Sequence, residues 1–503
     1  AASFARDVQP VLKEHCVKCH GAETQKGRIR LDRLTEFKAA DGHLWTLVHE
    51  VLSAGEMPPE DEPQPAKDER AKLAAFFEGV VDDYVADNTT LEPVVMRRLN
   101  RYEYNNAVRD LLELRGDIYP LPEKVIRSSQ YFDPASGRMP AGVTVGNRTL
   151  GKFQVERQIL SGVDPFAIDL QAEHGFNNQG DQLSVSPILL ESFLKLGRSI
   201  VNAREFDGYS AITDTFYRAP DEKDRSLWPL ITEQRLRPFL ERAFRSSISD
   251  DVLARYVKFV MREVERHGSY PQAMKAVTAA VLSSPRFLYL TERKRDADAE
   301  EALAPYELAA RLSFFLWSTL PDEELLASAR SGELAQPEVY AAQVSRMLES
   351  PKSKALAENF ARQWLRLDQL ITAVPDFDRF QIYYSRIGCE QWKFGLQTMM
   401  EPLLLFESIQ VEDRSIMLLI DSNYAYRSDE LQSWYANPAK PFGNKGNVNR
   451  FNTKVQQYKK RKLSTRREGG VITTAAVLTM TSTPLRTSPI KRGAWVATVL
   501  FND

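Results

Sequence analysis

Apolar residues recur at helical spacing along most of the chain and show no convincing period-two alternation, a pattern that predicts a mainly α protein. Near the start, Phe4, Val8, Val11 and Leu12 mark one face of a helix that Ser3 can cap, and Pro10 must bend it or shorten its regular part. Leu44, Trp45, Leu47, Val48 and Val51 predict a helix over 42–52. Leu73, Phe76, Phe77, Val80, Val81 and Tyr84 predict another over 67–85, suited to pack on the first. After a polar break at 87–93, Leu99, Tyr102, Val108, Leu111 and Leu112 predict a short buried helix. Ser186-Pro187, Ser350-Pro351 and Ser488-Pro489 each place a cap residue before a proline at the first helical position. The second pair leads a helix on which Leu356, Phe360, Trp364 and Leu367 share a face. Residues 304–317 form an apolar helix carrying Leu308, Leu312, Phe315 and Leu316. Short strands or loops are expected at 416–431 and around Tyr424 and Tyr435, and no repeat of fixed period occurs.

Length and charge narrow this picture. At 503 residues the chain predicts roughly three or four domains. The expected divisions are 1–88, 92–205, 206–300, 301–404 and 405–503, the last of mixed structure and ending in a helix. With 66 basic and 68 acidic residues there is no global electrostatic argument for nucleic acid. No run of about 18 apolar residues is present to span a membrane.

The chemistry concentrates at Cys16-Val17-Lys18-Cys19-His20. Two cysteines two residues apart, followed at once by histidine, have the spacing that attaches a haem covalently and supplies an axial ligand to its iron. A zinc site needs two further ligands, and Cys389 is the only other thiol. A thioredoxin-like dithiol leaves His20 unexplained and expects a βαβ context that is absent. The opposite axial ligand is expected at Met57, within Gly55-Glu56-Met57-Pro58-Pro59, where proline keeps the methionine out of a helix. The competing reading of Met57 is a gap-filling core residue. His43 and His49 compete as ligands from the 42–52 helix, while His15 is held by its position beside Cys16. Haem c maturation takes place outside the cytoplasmic membrane, so the protein is expected to be periplasmic or otherwise exported. Ala1-Ala2-Ser3 fits an end left by signal cleavage. Cys389 is expected to be a buried free thiol.

Other polar clusters are candidates of a weaker kind. The loop around 175–181, with His174, Asn177, Asn178 and Asp181, has groups for calcium or sugar hydroxyls, against an Asx-rich turn capping the helix at Pro187. Arg486, Lys491 and Arg492 gather near a helix start, able to hold an anion or a haem propionate, against a cap followed by a solvated basic face. The basic run 454–467, with Lys459, Lys460, Arg461 and Lys462, reads as an exposed loop able to dock an acidic redox partner. Glu56, Glu60, Asp61 and Glu62 form an acidic edge able to attract a basic one.

Taken in order, CVKCH with GEMPP, RRLNRYEYNNAVRDLL, GFNNQGDQLSVSP, SSPRFLYL, YELAARLSFFLWSTLPDEELL, SPKSKALAENFARQWL and TSTPLRTSPIKRGAWV resemble the large multidomain cytochromes of planctomycetes. In these a cytochrome c domain precedes several associated domains of unknown function, and the resemblance covers nearly the whole chain. It implies export, one haem c and an unidentified partner, and it supplies no reaction. Three departures stand out: Phe176-Asn177-Asn178 replaces the usual Phe-Asp-Asn, the stretch 118–170 looks expanded, and the usual extra C-terminal domain does not follow Asp503. The favoured function is transfer of single electrons to or from a redox partner protein, in a possible hetero-oligomer, with the helical bulk as docking scaffold. The alternatives are a haem-linked oxidoreductase whose C-terminal region oxidises a substrate such as a carbohydrate, and a structural or assembly protein that carries a haem. Neither GxGxxG nor HExxH is present to mark a second cofactor.

Overall fold

The amino-terminal helix starts irregularly: Phe4–Val8 is wound as a π turn, and regular α-helix runs only over Gln9–His15, with Pro10 in its first turn, where a missing N–H costs nothing. The computed structural model describes residues 4–33, 44, 48, 51–52, 57–59, 61–88, 96–121, 131–145, 159–166, 169, 175–180, 183, 187–290, 304–373, 375–376, 378–379, 398–436, 456–465 and 468–501. The chain divides into two compact units, Ala1–Pro93 with Asp296–Asp298, and Val94–Arg295 with Ala299–Asp503.

In the first unit Phe4, Val8 and Leu12 are buried with Leu31, Val48, Leu52, Leu73 and Phe77 in one core. Positions 44, 48, 51 and 52 are helical, as their spacing predicts. His43 and His49 lie outside the described residues. The closing helix spans Lys67–Asn88, with Asp68 and Glu69 in its first turn and the Glu69 carboxylate accepting from the Ala66 amide at 3.0 Å. Phe76 meets Phe77 edge to face at 5.7 Å. The side chains of Val80, Val81 and Tyr84 lie outside the description.

In the second unit helices again dominate, gathered into three cores. Arg97–Arg98 is not the start of the predicted helix but a short strand, β1, paired antiparallel with β3, Tyr289–Leu290. The helix is Arg101–Leu111, opened by Asn100, whose side chain accepts from the Glu103 amide while Glu103 accepts from the Asn100 amide. Leu99, Tyr102, Val108, Leu111 and Leu112 are all buried, in the largest core, with residues of the helices Pro187–Val201, Trp228–Phe244, Asp250–His267 and Tyr270–Leu282. A second core gathers around the Met400–Val411 helix and a three-stranded antiparallel sheet of β2 (Gly142–Val145), β5 (Gln456–Lys462) and β4 (Tyr424–Ser428), with β5 in the centre. A third lies among Pro305–Trp317, Glu323–Ser331 and Pro337–Glu349.

Several expectations are corrected here. The segment after Ser350 is not one regular helix: Ser350 caps a 3-10 turn, Pro351–Lys354, followed by a π turn, Leu356–Ala361, and a short α turn, Arg362–Trp364. The changed winding shifts the phase, so Leu356 joins the third core while Phe360, Trp364 and Leu367 face the second. Phe315 is 60% exposed instead of sharing the packing of Leu312 and Leu316. Tyr424 lies in a strand as expected, whereas Tyr435 belongs to a helix, Asp429–Ala436.

The basic run is the largest surprise. Residues 456–462 form the central strand of the sheet, and several of their charges meet carboxylates. Lys459 pairs with Asp429 at 2.9 Å, Lys460 with Glu412 at 2.7 Å, and Arg461 with Asp429. Lys460 also stands 4.6 Å from the centre of the Tyr424 ring. Among the described side chains of this stretch only Tyr458 reaches the core, so alternation did not announce a strand.

Candidate functional site

The attachment motif begins where the Gln9–His15 helix ends. The Cys16 and Val17 amides donate to the Leu12 carbonyl at 2.9 and 3.0 Å, and those of Cys19 and His20 donate to the Cys16 carbonyl at 3.1 and 2.9 Å. This folds the five residues into a tight turn. The next residue must be glycine: a Cβ on Gly21 would lie 2.3 Å from the Val17 carbonyl oxygen. The chain then returns, the Lys26 amide donating to the Cys19 carbonyl at 3.0 Å and the Leu31 amide to the His20 carbonyl at 2.8 Å. Cys16 and Val17 pack on the edge of the first unit's core. Burial pushes the Cys16 thiol up to about 11, with the nearby charge of Arg70 pulling it down and Cys19 adding to the rise.

Two contacts tie the segment after Met57 to the motif: His15 Nδ1 lies 3.1 Å from the Pro63 carbonyl, and Lys18 pairs with Glu62 at 2.8 Å. Arg70 donates to the Met57 carbonyl at 2.9 Å. His15 is thus engaged with backbone. Met57 is 38% exposed, which removes the core-filler reading of this residue. Pro58 is buried beside it, across a cis peptide bond.

The donor set suits a covalently attached haem. His20 Nδ1 is buried and has no hydrogen-bond partner among the described residues, an unmet demand that a purely structural histidine would satisfy with protein. Cys16 and Cys19 are free thiols, and a Cys16 sulfur that ends as a neutral thioether asks no charge to be desolvated in its apolar wall.

Of the remaining sequence candidates, Asn177 and Arg492 are engaged with protein groups. Asn177 is buried; its amide donates to Gln363 Oε1 at 2.8 Å and its Oδ1 accepts from Asn100 Nδ2 at 2.9 Å. It therefore serves the start of the Arg101–Leu111 helix. Asn178 is exposed, and His174, Asp181 and Cys389 lie outside the described residues. At the C-terminal cluster Ser488 caps Pro489–Trp495, and Arg492 donates to Thr487 at 2.9 Å and Thr481 at 3.4 Å; Arg486 and Lys491 are exposed. The acidic edge is weakened by the Glu62 pair with Lys18, and Glu56 and Glu60 lie outside the description.

Sequence reasoning missed a buried polar cluster in the second unit. Tyr131 donates to Glu407 at 2.9 Å, Lys354 sits 4.5 Å from the Tyr131 ring centre and 3.4 Å from Glu358, and Tyr102 donates to Glu358 at 2.9 Å. These residues lie far apart in the chain, and the segments that carry Tyr102, Lys354 and Glu358 read as helices without a sign that their polar groups meet. Burial raises Glu407 to about 7, with Lys354 and Tyr131 pulling it down and Glu358 adding to the rise. A carboxyl raised in the folded state binds its proton more tightly there than in the unfolded chain. Its contribution is complete below about pH 4.5 and is lost as pH climbs to about 7. Glu407→Gln is therefore expected to remove a fall of about 3 kcal/mol across that window. Denaturant titrations of both proteins at pH 4.5, 6 and 8 check this, and parallel pH profiles would refute it.

Comparison with known families follows the same division of the chain. The profile described as Planctomycete cytochrome C matches residues 16–61, from Cys16 past Met57. Three profiles described as proteins of unknown function match later stretches in order: DUF1587 at 97–126 and 155–204, DUF1595 at 232–292, and DUF1592 at 303–436. The chain belongs to the multidomain planctomycete-type cytochrome c proteins. It is thus a haem-binding cytochrome, and the break in the DUF1587 match falls inside the stretch that looked expanded. No curated protein and no solved structure matches this cytochrome. Among its described residues no helix is long and apolar enough to cross a membrane, and no group of three or more His, Cys, Asp or Glu residues gathers to hold a metal ion.

Proposed function

We propose that the protein is an exported single-electron carrier, with one haem c attached through Cys16 and Cys19 and held between His20 and Met57. The observation that carries this reading is the fastening of the segment after Met57 to the attachment motif, His15 to the Pro63 carbonyl and Lys18 to Glu62, with Arg70 holding the Met57 carbonyl. The haem supplies one-electron iron chemistry when bound. The protein's part is to fix the imidazole by the turn that Gly21 closes, to present the Met57 thioether from a proline-rich loop, and to seat Cys16 against apolar side chains. An iron with both axial positions filled offers no place for substrate, so its exchange is with a partner protein. A partner is better sought at the cytochrome unit than at Lys459, Lys460 and Arg461, which are engaged with Asp429 and Glu412.

The carbohydrate-oxidising alternative drew on the 174–181 loop, and Asn177 of that loop is committed to Asn100 and Gln363. Stopped-flow mixing tests the choice. The ferric full-length protein, its haem resistant to acidic acetone, is expected to stay oxidised with a panel of simple sugars and alcohols. With its native partner it should be reduced fast, at a rate that falls as salt rises. Rapid reduction by one saccharide, abolished by Asn178→Ala or Arg486→Ala with Met57 intact, would replace the carrier by an enzyme.

A further inference from the structure

The Met57-Pro58-Pro59 sequence creates a problem for its own loop. Neither proline has an amide N–H, so the backbone has few donors with which to hold the segment. The Met57 amide reaches the Val51 carbonyl at 3.3 Å. The loop's carbonyls are met by two side chains that the sequence reading passed over. Arg70, in the first turn of the Lys67–Asn88 helix, donates through one terminal nitrogen to the Met57 carbonyl at 2.9 Å and to the Leu52 carbonyl at 3.3 Å. Its other terminal nitrogen donates to Gln64 Oε1 at 2.7 Å. Gln64 in turn aims its Nε2 at the carbonyls of Pro58 at 3.1 Å, Pro59 at 2.7 Å and Glu62 at 3.0 Å.

We infer that Arg70 and Gln64 form a clamp that positions Met57 as an iron ligand, Arg70 being the anchor and Gln64 its extension along the proline loop. The inference rests on the reading of Met57 given above. A guanidinium suits the task because its planar fork spans two separate acceptors and keeps its charge. It fastens the end of the 51–52 helical stretch, the ligand residue and the closing helix at one point. Arg70 and Gln64 are thus positioning residues: they act on the iron through Met57, without touching it.

The test uses the full chain, produced with haem-maturation machinery, in the variants Arg70→Met, Arg70→Lys, Gln64→Ala and Met57→Ala. The readouts are the far-red absorption band of a methionine-ligated ferric haem, carbon monoxide binding to the ferrous protein, and far-ultraviolet circular dichroism. Loss of hydrogen bonds from a charged donor is expected to weaken the band in Arg70→Met and to raise carbon monoxide affinity about tenfold or more. Arg70→Lys, which keeps the charge but not the fork, should fall between, and Gln64→Ala should show a smaller change of the same sign. Gln64 is exposed, so its variant reports even where Arg70→Met does not fold. A wild type with the band whose folded variants keep both band and carbon monoxide affinity overturns the clamp alone. A wild type without the band, or a Met57→Ala spectrum identical to wild type, overturns the ligand reading and the clamp with it.

Discussion

Met57→Ala is expected to lower the reduction potential by an amount on the order of 0.1 V, well inside the ~0.8 V range that axial ligands span. It should also open the ferrous iron to carbon monoxide. A thioether favours the ferrous state, so its loss favours the ferric one. The Met57 side chain is 38% exposed and its carbonyl is held by Arg70, so the truncation removes a ligand without emptying the core. Folding, read by circular dichroism, should be unchanged while the potential, read by spectroelectrochemistry, falls. A variant that retains both its low-spin spectrum and its potential would transfer the ligand role to a histidine such as His43 or His49.

The largest expected effect on stability lies in the second unit, at Glu401. This carboxylate and the Arg427 guanidinium are 1% and 0% exposed and 2.6 Å apart. Glu401 also accepts from Tyr435 at 2.6 Å and from the Ala475 amide at 3.2 Å, and Arg427 lies over the Tyr435 ring, 3.8 Å from its centre. Burial raises the Glu401 carboxyl above its usual range, while Arg427 and Tyr435 pull it down. Glu401→Gln leaves the buried Arg427 guanidinium with only the part-exposed Glu468 carboxylate at 3.4 Å and is expected to cost about 3 kcal/mol. The double change Glu401→Leu with Arg427→Met, which removes both charges, should recover most of that loss. Urea denaturation of the three proteins reads the difference. A double variant as unstable as the single one would mean that packing, not the bare charge, sets the cost.

The parts of this protein that depend on neighbours in sequence were legible from sequence. The Arg101–Leu111 helix follows its apolar spacing and a local capping box, and the Lys67–Asn88 helix begins at its predicted residue. The attachment motif is five consecutive residues, so its turn needed no distant partner. What escaped was set by tertiary neighbours. The strand at 456–462 is held by Asp429, Glu412 and Tyr424, and nothing in a lysine-rich stretch names those partners in advance. The phase of 350–367 was misread because a π turn changes which residues share a face. Arg70 and Gln64 were overlooked because a loop's carbonyls leave no periodic trace.

The bond from Asn177 to Gln363 carries a consequence for modularity. The DUF1587 match contains Asn100, Tyr102, Asn106, Asp110 and Asn177, and the DUF1592 match contains Ser318, Lys352, Glu358 and Gln363. Across that sequence gap run Asn177 to Gln363, Tyr102 to Glu358, Asn106 to Ser318 and the Asp110–Lys352 ion pair at 2.9 Å. Two segments that sequence comparison treats as separate families are therefore complementary halves of one polar seam. A gene that inherited either half alone would encode a surface of stranded amides and carboxylates, so recombination is expected to keep the two together, and grafting one onto another scaffold would have to carry the other with it.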